Sequence, residues 1–266
     1  MRVPAGRAGH ARPGRPVGAG PRRGTRPARG RGRVVSVDVL LATIRSALPA
    51  VADPANAAPM QRYMKSALPF HGVSMPVLRR TVRPLIAAHP LPDRATWERA
   101  VRTLYAEASH REERYAALEL AGHRLYRAHR DVDALPLFAW LVSEGAWWDL
   151  VDWTASLVDE VLRTHPAAAR PVVREWATAD DLWLRRVAII GQLRAKGDTD
   201  LDLLVHALDA NLVGSPFGDE FFIRKAVGWA LRQHARTDPD WVRAFVAARG
   251  DRLSTLSRRE ALKHLG

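Results

Sequence analysis

Cysteine is absent from all 266 residues of this chain. That excludes disulfides and thiolate metal ligands and fits a reducing compartment, so the expected location is the cytoplasm, nucleoid-associated in a bacterium. No apolar run approaches the roughly 20 residues that span a bilayer, so no membrane partner is expected. Arg22-Arg23 is followed by no apolar segment and does not read as an export signal. The ten histidines are scattered and no His-Glu-x-x-His occurs, which leaves a zinc hydrolase without ligands. Gly-x-Ser-x-Gly and the dinucleotide fingerprint are missing, and the stretch from Gly191 to Gly197 lacks the P-loop spacing. These absences disfavour nucleotide-driven and acyl-transfer enzymes, and neither a metal nor a cofactor is expected.

Acidic residues are also missing from residues 1–34, which hold ten arginines among Gly, Pro and Ala. The net charge of +13 belongs largely to that segment: without it, 31 Lys and Arg face 28 Asp and Glu, a net of +3. Residues 1–36 are expected to form a disordered arm. Such an arm adds salt-sensitive, sequence-blind affinity for nucleic acid. A true start of translation near Val35 is the competing reading. A transit peptide is a third, opposed by Gly and Pro, which disfavour an amphipathic helix there. Residues 37–266 are expected to be the folded domain.

What is present after the arm reads as helix. Apolar residues recur at three- and four-residue spacing in 37–48, 56–67, 75–88, 94–108, 111–128, 132–143, 146–164, 166–177, 180–195, 199–210, 219–235, 238–248 and 255–265. Pro, Gly or Asp punctuate the breaks, and no alternating strand is visible. Segments starting near His110, Ala146, Leu182 and Phe221 lie 36, 36 and 39 residues apart. A period near 40 with two helices per unit predicts an all-α, HEAT-like helical-repeat solenoid of antiparallel helix pairs. The second helix of each pair would line a concave face. Trp148, Asp152, Arg186, Lys225 and Trp229 would then come from successive inner helices and converge in one groove.

The run Trp147-Trp148-Asp149-Leu150-Val151-Asp152 is the most informative stretch. On a helix, Trp148 and Asp152 stand four apart and share a face, while Trp147, Val151, Val158 and Leu162 suit a core. A helical tryptophan is more often core than platform, and Asp149 is the better placed acid for the helix dipole. Asp152, a turn further in, needs another reason. Trp229 lies four residues from Lys225 and three from Arg232, an indole between cations that suits stacking near a phosphate backbone. A boundary tryptophan covered by aliphatic stems is the plain alternative. Of Arg185 and Arg186 only one can face the groove, and the period favours Arg186, with Arg194 two turns beyond it. Basic positions at Arg114, Arg186 and Lys225 match in successive units and suggest a phosphate-binding track.

With these residues in place the chain resembles the AlkD-like DNA alkylation repair family of HEAT-like DNA glycosylases, over residues 37–265. The likeness rests on Met60 to Lys65, Phe70-His71-Gly72-Val73, the Trp147 to Asp152 run, Trp183 to Arg186, Glu220 to Trp229, and Leu256 to Ala261. An insertion at 211–218 and the basic arm depart from the family pattern. The resemblance implies excision of N3- or N7-alkylated purines from duplex DNA, with the lesion left in the stack. It puts Trp148, Asp152 and Trp229 on catalytic positions, Arg186 on the arginine closest to the lesion strand, and Tyr63 and Arg232 near the DNA.

Those residue types suit that chemistry. An N3- or N7-alkylpurine is cationic and leaves as a neutral base, so no general acid is needed. Charge develops on the deoxyribose instead, as in glycoside hydrolysis. A fixed carboxylate steadies that charge and orients water, and indole faces cradle the cationic nucleotide. No lysine is nominated as a Schiff-base nucleophile, so a monofunctional enzyme is expected. A non-catalytic DNA-binding relative and a protein-binding scaffold are the competing functions. No extended apolar helix face lacks a core role, so a monomer is expected.

Overall fold

The computed structural model describes residues 36–265, in which every regular element is helical. The arm at 1–35 lies outside the described residues. The helices are α1 (Val37–Ala47), α2 (Pro54–Met64), α3 (Met75–Ala88), α4 (Arg94–Ala106), α5 (Arg111–Ala121), α6 (Leu135–Gly145), α7 (Trp148–Thr164), α8 (Pro166–Trp176), α9 (Leu182–Ile190), α10 (Leu201–Asp209), α11 (Phe221–His234), α12 (Pro239–Arg249) and α13 (Thr255–Ala261). Helices α3, α5, α7, α9, α11 and α13 each pack on the next and form an inner layer, backed by α1, α4, α6, α8, α10 and α12. This is an all-α helical-repeat solenoid. The inner helices begin at 75, 111, 148, 182, 221 and 255, so the repeat extends one unit beyond the expected set at each end.

Local chemistry explains most helix starts. Asp93, Asp181, Asp200, Asp238 and Ser254 each accept a hydrogen bond from a first-turn amide, satisfying donors that have no partner inside the helix. Apolar stripes then fill the core with Leu40, Ile44, Leu78, Trp97, Leu104, Leu118, Phe138, Val158 and Leu231, all fully buried.

Three expected helices stop four or more residues short of their apolar pattern; one is 255–265, which ends at Ala261. The 111–128 segment stops at Ala121, and a 3-10 turn over Arg124–His129 follows. Gly122 caps α5 where a Cβ would stand 3.2 Å from the Leu157 side chain. The 180–195 segment stops at Ile190 because polar side chains redirect the chain. Gln192 exchanges hydrogen bonds with the Asp200 backbone, and Asp159 accepts from the Arg194 amide.

Helix α2 has no buried residue and rests on the core through half-buried Ala57, Met60 and Met64. Its anchor is the loop that follows it. The Asp53 amide donates to the His71 carbonyl at 2.9 Å. Gly72, at φ +81°, approaches so closely that a Cβ would lie 2.0 Å from the Asp53 oxygen. The fully buried Glu112 carboxylate, on α5, accepts from the amides of His71, Gly72 and Val73 at 3.1, 2.9 and 3.0 Å.

At the other end, α11 and α13 touch through Gly228, where a Cβ would stand 2.6 Å from the Glu260 Cβ and 3.1 Å from the Ser257 carbonyl. Neither obstacle is the free end of a side chain. Gly228→Ala is therefore expected to destabilise the fold by about 1–3 kcal/mol, read as a lower urea midpoint at unchanged m-value. An unchanged midpoint would show that the helices separate at no cost.

Candidate active site

The α6–α7 junction sets the position of every residue in the Trp147 to Asp152 run. Gly145 ends α6 where a Cβ would meet the Tyr105 hydroxyl at 2.2 Å. Ala146 follows in the left-handed region at φ 41°, and Trp147 is extended, so α7 starts abruptly at Trp148. The Trp147 ring packs on Trp183 and Phe222, with centroids 6.2 and 5.4 Å away. Trp147 is thus not core: it is half-buried and lines a cleft. Its indole Nε1 is buried and has no hydrogen-bond partner among the described residues.

Asp149 does more than favour the helix dipole. Its carboxylate receives Arg111 at 2.6 Å and the Tyr115 hydroxyl at 2.6 Å, both from α5 and both buried. Burial, with the Asp149 carboxylate beside it, pushes the Tyr115 hydroxyl far above the ordinary phenol range. This clamp fixes the first turn of α7, and with it Trp148 and Asp152.

Asp152 meets Arg186 of α9 in a two-pronged ion pair, Nε to Oδ1 at 2.7 Å and Nη2 to Oδ2 at 2.8 Å. Arg186 commits its third nitrogen to the Phe222 carbonyl at 2.6 Å. The Asp152 side chain retains 18% of its exposure and that of Arg186 only 6%, so the carboxylate is the more accessible half of the pair. Burial pushes the Asp152 carboxyl above the usual carboxylate range, against the pull of Arg186, and Asp149 adds in the same direction. Two short guanidinium bonds nonetheless require both oxygens as acceptors, which is the geometry of a carboxylate.

The open cleft beside this pair draws on four elements. Tyr63, near the end of α2, stands exposed with its ring edge-on to Trp148, centroids 6.3 Å apart at 89°. Arg186, Phe222 and Lys225 also line it, with Lys65 and exposed Phe221. Sequence reasoning singled out Tyr63, Trp148, Arg186 and Lys225, and these four meet here. It missed Lys65, Phe221 and Phe222 as lining residues, although each lies inside a quoted motif. Paired phenylalanines opening a helix were the available signal.

Other expected residues stand elsewhere. Trp229 is half-buried against the core and does not line the cleft; it lies one turn past Lys225 on the same face of α11. Arg232 binds Glu260 of α13, and Lys225 approaches the same carboxylate at 3.8 Å. Arg194 is exposed beyond the end of α9, so the two-turn spacing from Arg186 does not exist. Arg114 is no part of a track either: it lies over the Tyr105 ring at 4.9 Å and reaches the Glu144 carbonyl. Arg185 is buried against the carbonyls of Thr178 and Ala179, leaving Arg186 for the cleft as the period suggested.

Ion pairs explain why the basic track is not free. Arg79 and Arg83 of α3 grip Glu119 of α5, Arg111 grips Asp149, Asp152 grips Arg186, and Glu260 takes Arg232. Carboxylates from neighbouring inner helices hold most of the matching cations. Among the described residues no group of three or more His, Asp or Glu side chains is placed to hold a metal ion.

Comparison with known proteins agrees with this architecture. No curated protein matches the chain. A solved structure of a predicted DNA alkylation repair enzyme from Enterococcus faecalis is similar at 30% identity and a TM-score of 0.71, over 81% of this chain and 97% of that one. The family model described as DNA alkylation repair enzyme matches residues 44–265, and the chain belongs to that family.

Proposed function

We propose that this protein is a monofunctional DNA glycosylase that hydrolyses the N-glycosidic bond of positively charged N3- or N7-alkylated purines in duplex DNA. The observation that carries the reading is the Asp152 carboxylate, held by a two-pronged arginine beside an aromatic cleft. Family membership supports a role in DNA repair. The reaction needs no acid, because the alkylated base departs neutral. The deoxyribose becomes cationic, and Asp152 stabilises it and orients the attacking water. Arg186 fixes the carboxylate rather than spending its fork on phosphate. Trp148 with Tyr63 presents aromatic surface to the cationic nucleotide.

The test is release of 7-methylguanine and 3-methyladenine from methylated duplex by the purified full chain. Free bases are expected, with no strand scission and no borohydride-trapped adduct. The active form is the carboxylate, so activity falls as pH drops through the Asp152 pKa. Because burial raises that pKa, the acid limb of kcat/KM should lie above the ordinary Asp range, after subtracting uncatalysed depurination. In Arg186→Gln, which removes the groups that lower it, the limb should move to higher pH. A limb that ignores Arg186 would assign it to another group.

One observation favours a second reading, a relative that binds DNA without excision: Asp152 already has its charge partner in Arg186. Tight duplex binding with no base release would select that reading.

A further inference from the structure

Three cations line the cleft, and two of them are already paired. Arg186 is held by Asp152, and Lys225 lies 3.8 Å from Glu260. Lys65 is exposed, and among the described residues no carboxylate lies within ion-pair distance of it. Its backbone is also unusual. Lys65 caps α2 in the left-handed region, at φ 48° and ψ 37°. Its amide donates to the carbonyls of Arg62 and Gln61, and the Ser66 amide donates to Gln61. This cap geometry favours glycine, because a Cβ there crowds the following carbonyl. The side chain is exposed, at the end of a helix with no buried residue.

We propose that Lys65 contacts a backbone phosphate of the bound duplex, and that the αL cap holds its ammonium at the mouth of the cleft for that contact. A paired arginine must exchange one anion for another when DNA arrives. An unpaired ammonium exchanges only mobile counterions, so its contact appears directly in the salt dependence of binding. Tyr63, two residues earlier, stands over Trp148, so the same short segment carries an aromatic contact and a charge. The inference rests on the reading that this cleft takes duplex DNA.

The decisive variant is Lys65→Gly, which removes the charge while giving the cap its preferred residue. The full chain and its Lys65→Gly and Lys65→Arg variants are titrated with an undamaged duplex at several salt concentrations, alongside thermal melts. Lys65→Gly is expected to melt no lower than the parent. It should bind more weakly to every sequence, with a salt slope smaller by about 0.9. Lys65→Arg should restore the slope. An unchanged slope in Lys65→Gly, with the parent binding duplex normally, would reduce Lys65 to a helix cap. A parent chain with no salt-dependent duplex binding would overturn both this inference and the DNA-glycosylase reading.

Discussion

Asp152→Asn is expected to slow release of 7-methylguanine by about 10²–10³-fold, the effect of removing one preorganised electrostatic group, while duplex affinity stays within a few-fold. The amide keeps an acceptor for Arg186 but loses the charge that opposes the developing sugar cation. Arg186 then remains buried with half its partner, and breaking such a pair outright costs about 3–5 kcal/mol. Some destabilisation is therefore expected, and excision must be measured well below the variant's melting midpoint. A melt and a binding titration on the same preparation separate loss of fold from loss of chemistry. Excision within a few-fold of the parent would remove Asp152 from the mechanism.

The largest expected effect on stability lies elsewhere, at Glu112. Its carboxylate is the partner of three consecutive amides, and two of them, Gly72 and Val73, belong to buried residues. Each buried amide left unpaired costs about 1–3 kcal/mol, so Glu112→Ala should lose about 3–5 kcal/mol after partial relaxation. At about 2–4 °C per kcal/mol for a domain this size, the melting midpoint should fall by roughly 10 °C. Glu112→Gln keeps an acceptor oxygen and should lose less. Because the 70–73 loop anchors α2, the same variants should also weaken duplex binding through Tyr63 and Lys65. A melting midpoint within a degree of the parent in Glu112→Ala would mean that water replaces the carboxylate in full.

Much of the candidate site is legible in the sequence. Trp148 and Asp152 share a face because four residues span about one helical turn, and no tertiary knowledge is needed for that. The choice of Arg186 over Arg185 followed from the repeat alone. The role of Arg186 did not. An arginine one inner helix away from an acid reads equally as a phosphate ligand or as that acid's partner, and only the 2.7 Å approach decides. The partner of Lys225 and Arg232 is hidden for the same reason, since Glu260 lies 35 and 28 residues further along. Trp229 sits at the correct helical register, yet whether it reaches the cleft depends on the rotation of α11. Arg194 loses its helical spacing from Arg186 for another reason: the apolar pattern continues past Ile190, while side-chain hydrogen bonds of Gln192 and Asp159 end the helix.

The sequence by itself determined the all-α repeat, the order of its helices and the face on which Trp148 and Asp152 lie. Each of these depends on periodicity, and periodicity is a property of neighbours in the chain. The tertiary structure decided which charges are spent and which remain available, because ion pairs form between helices whose residues lie some thirty to forty positions apart. It assigned Asp149 to a buried clamp, Glu112 to a loop anchor and Arg186 to Asp152, and among the described residues it left Lys65 lining the cleft without a counter-charge.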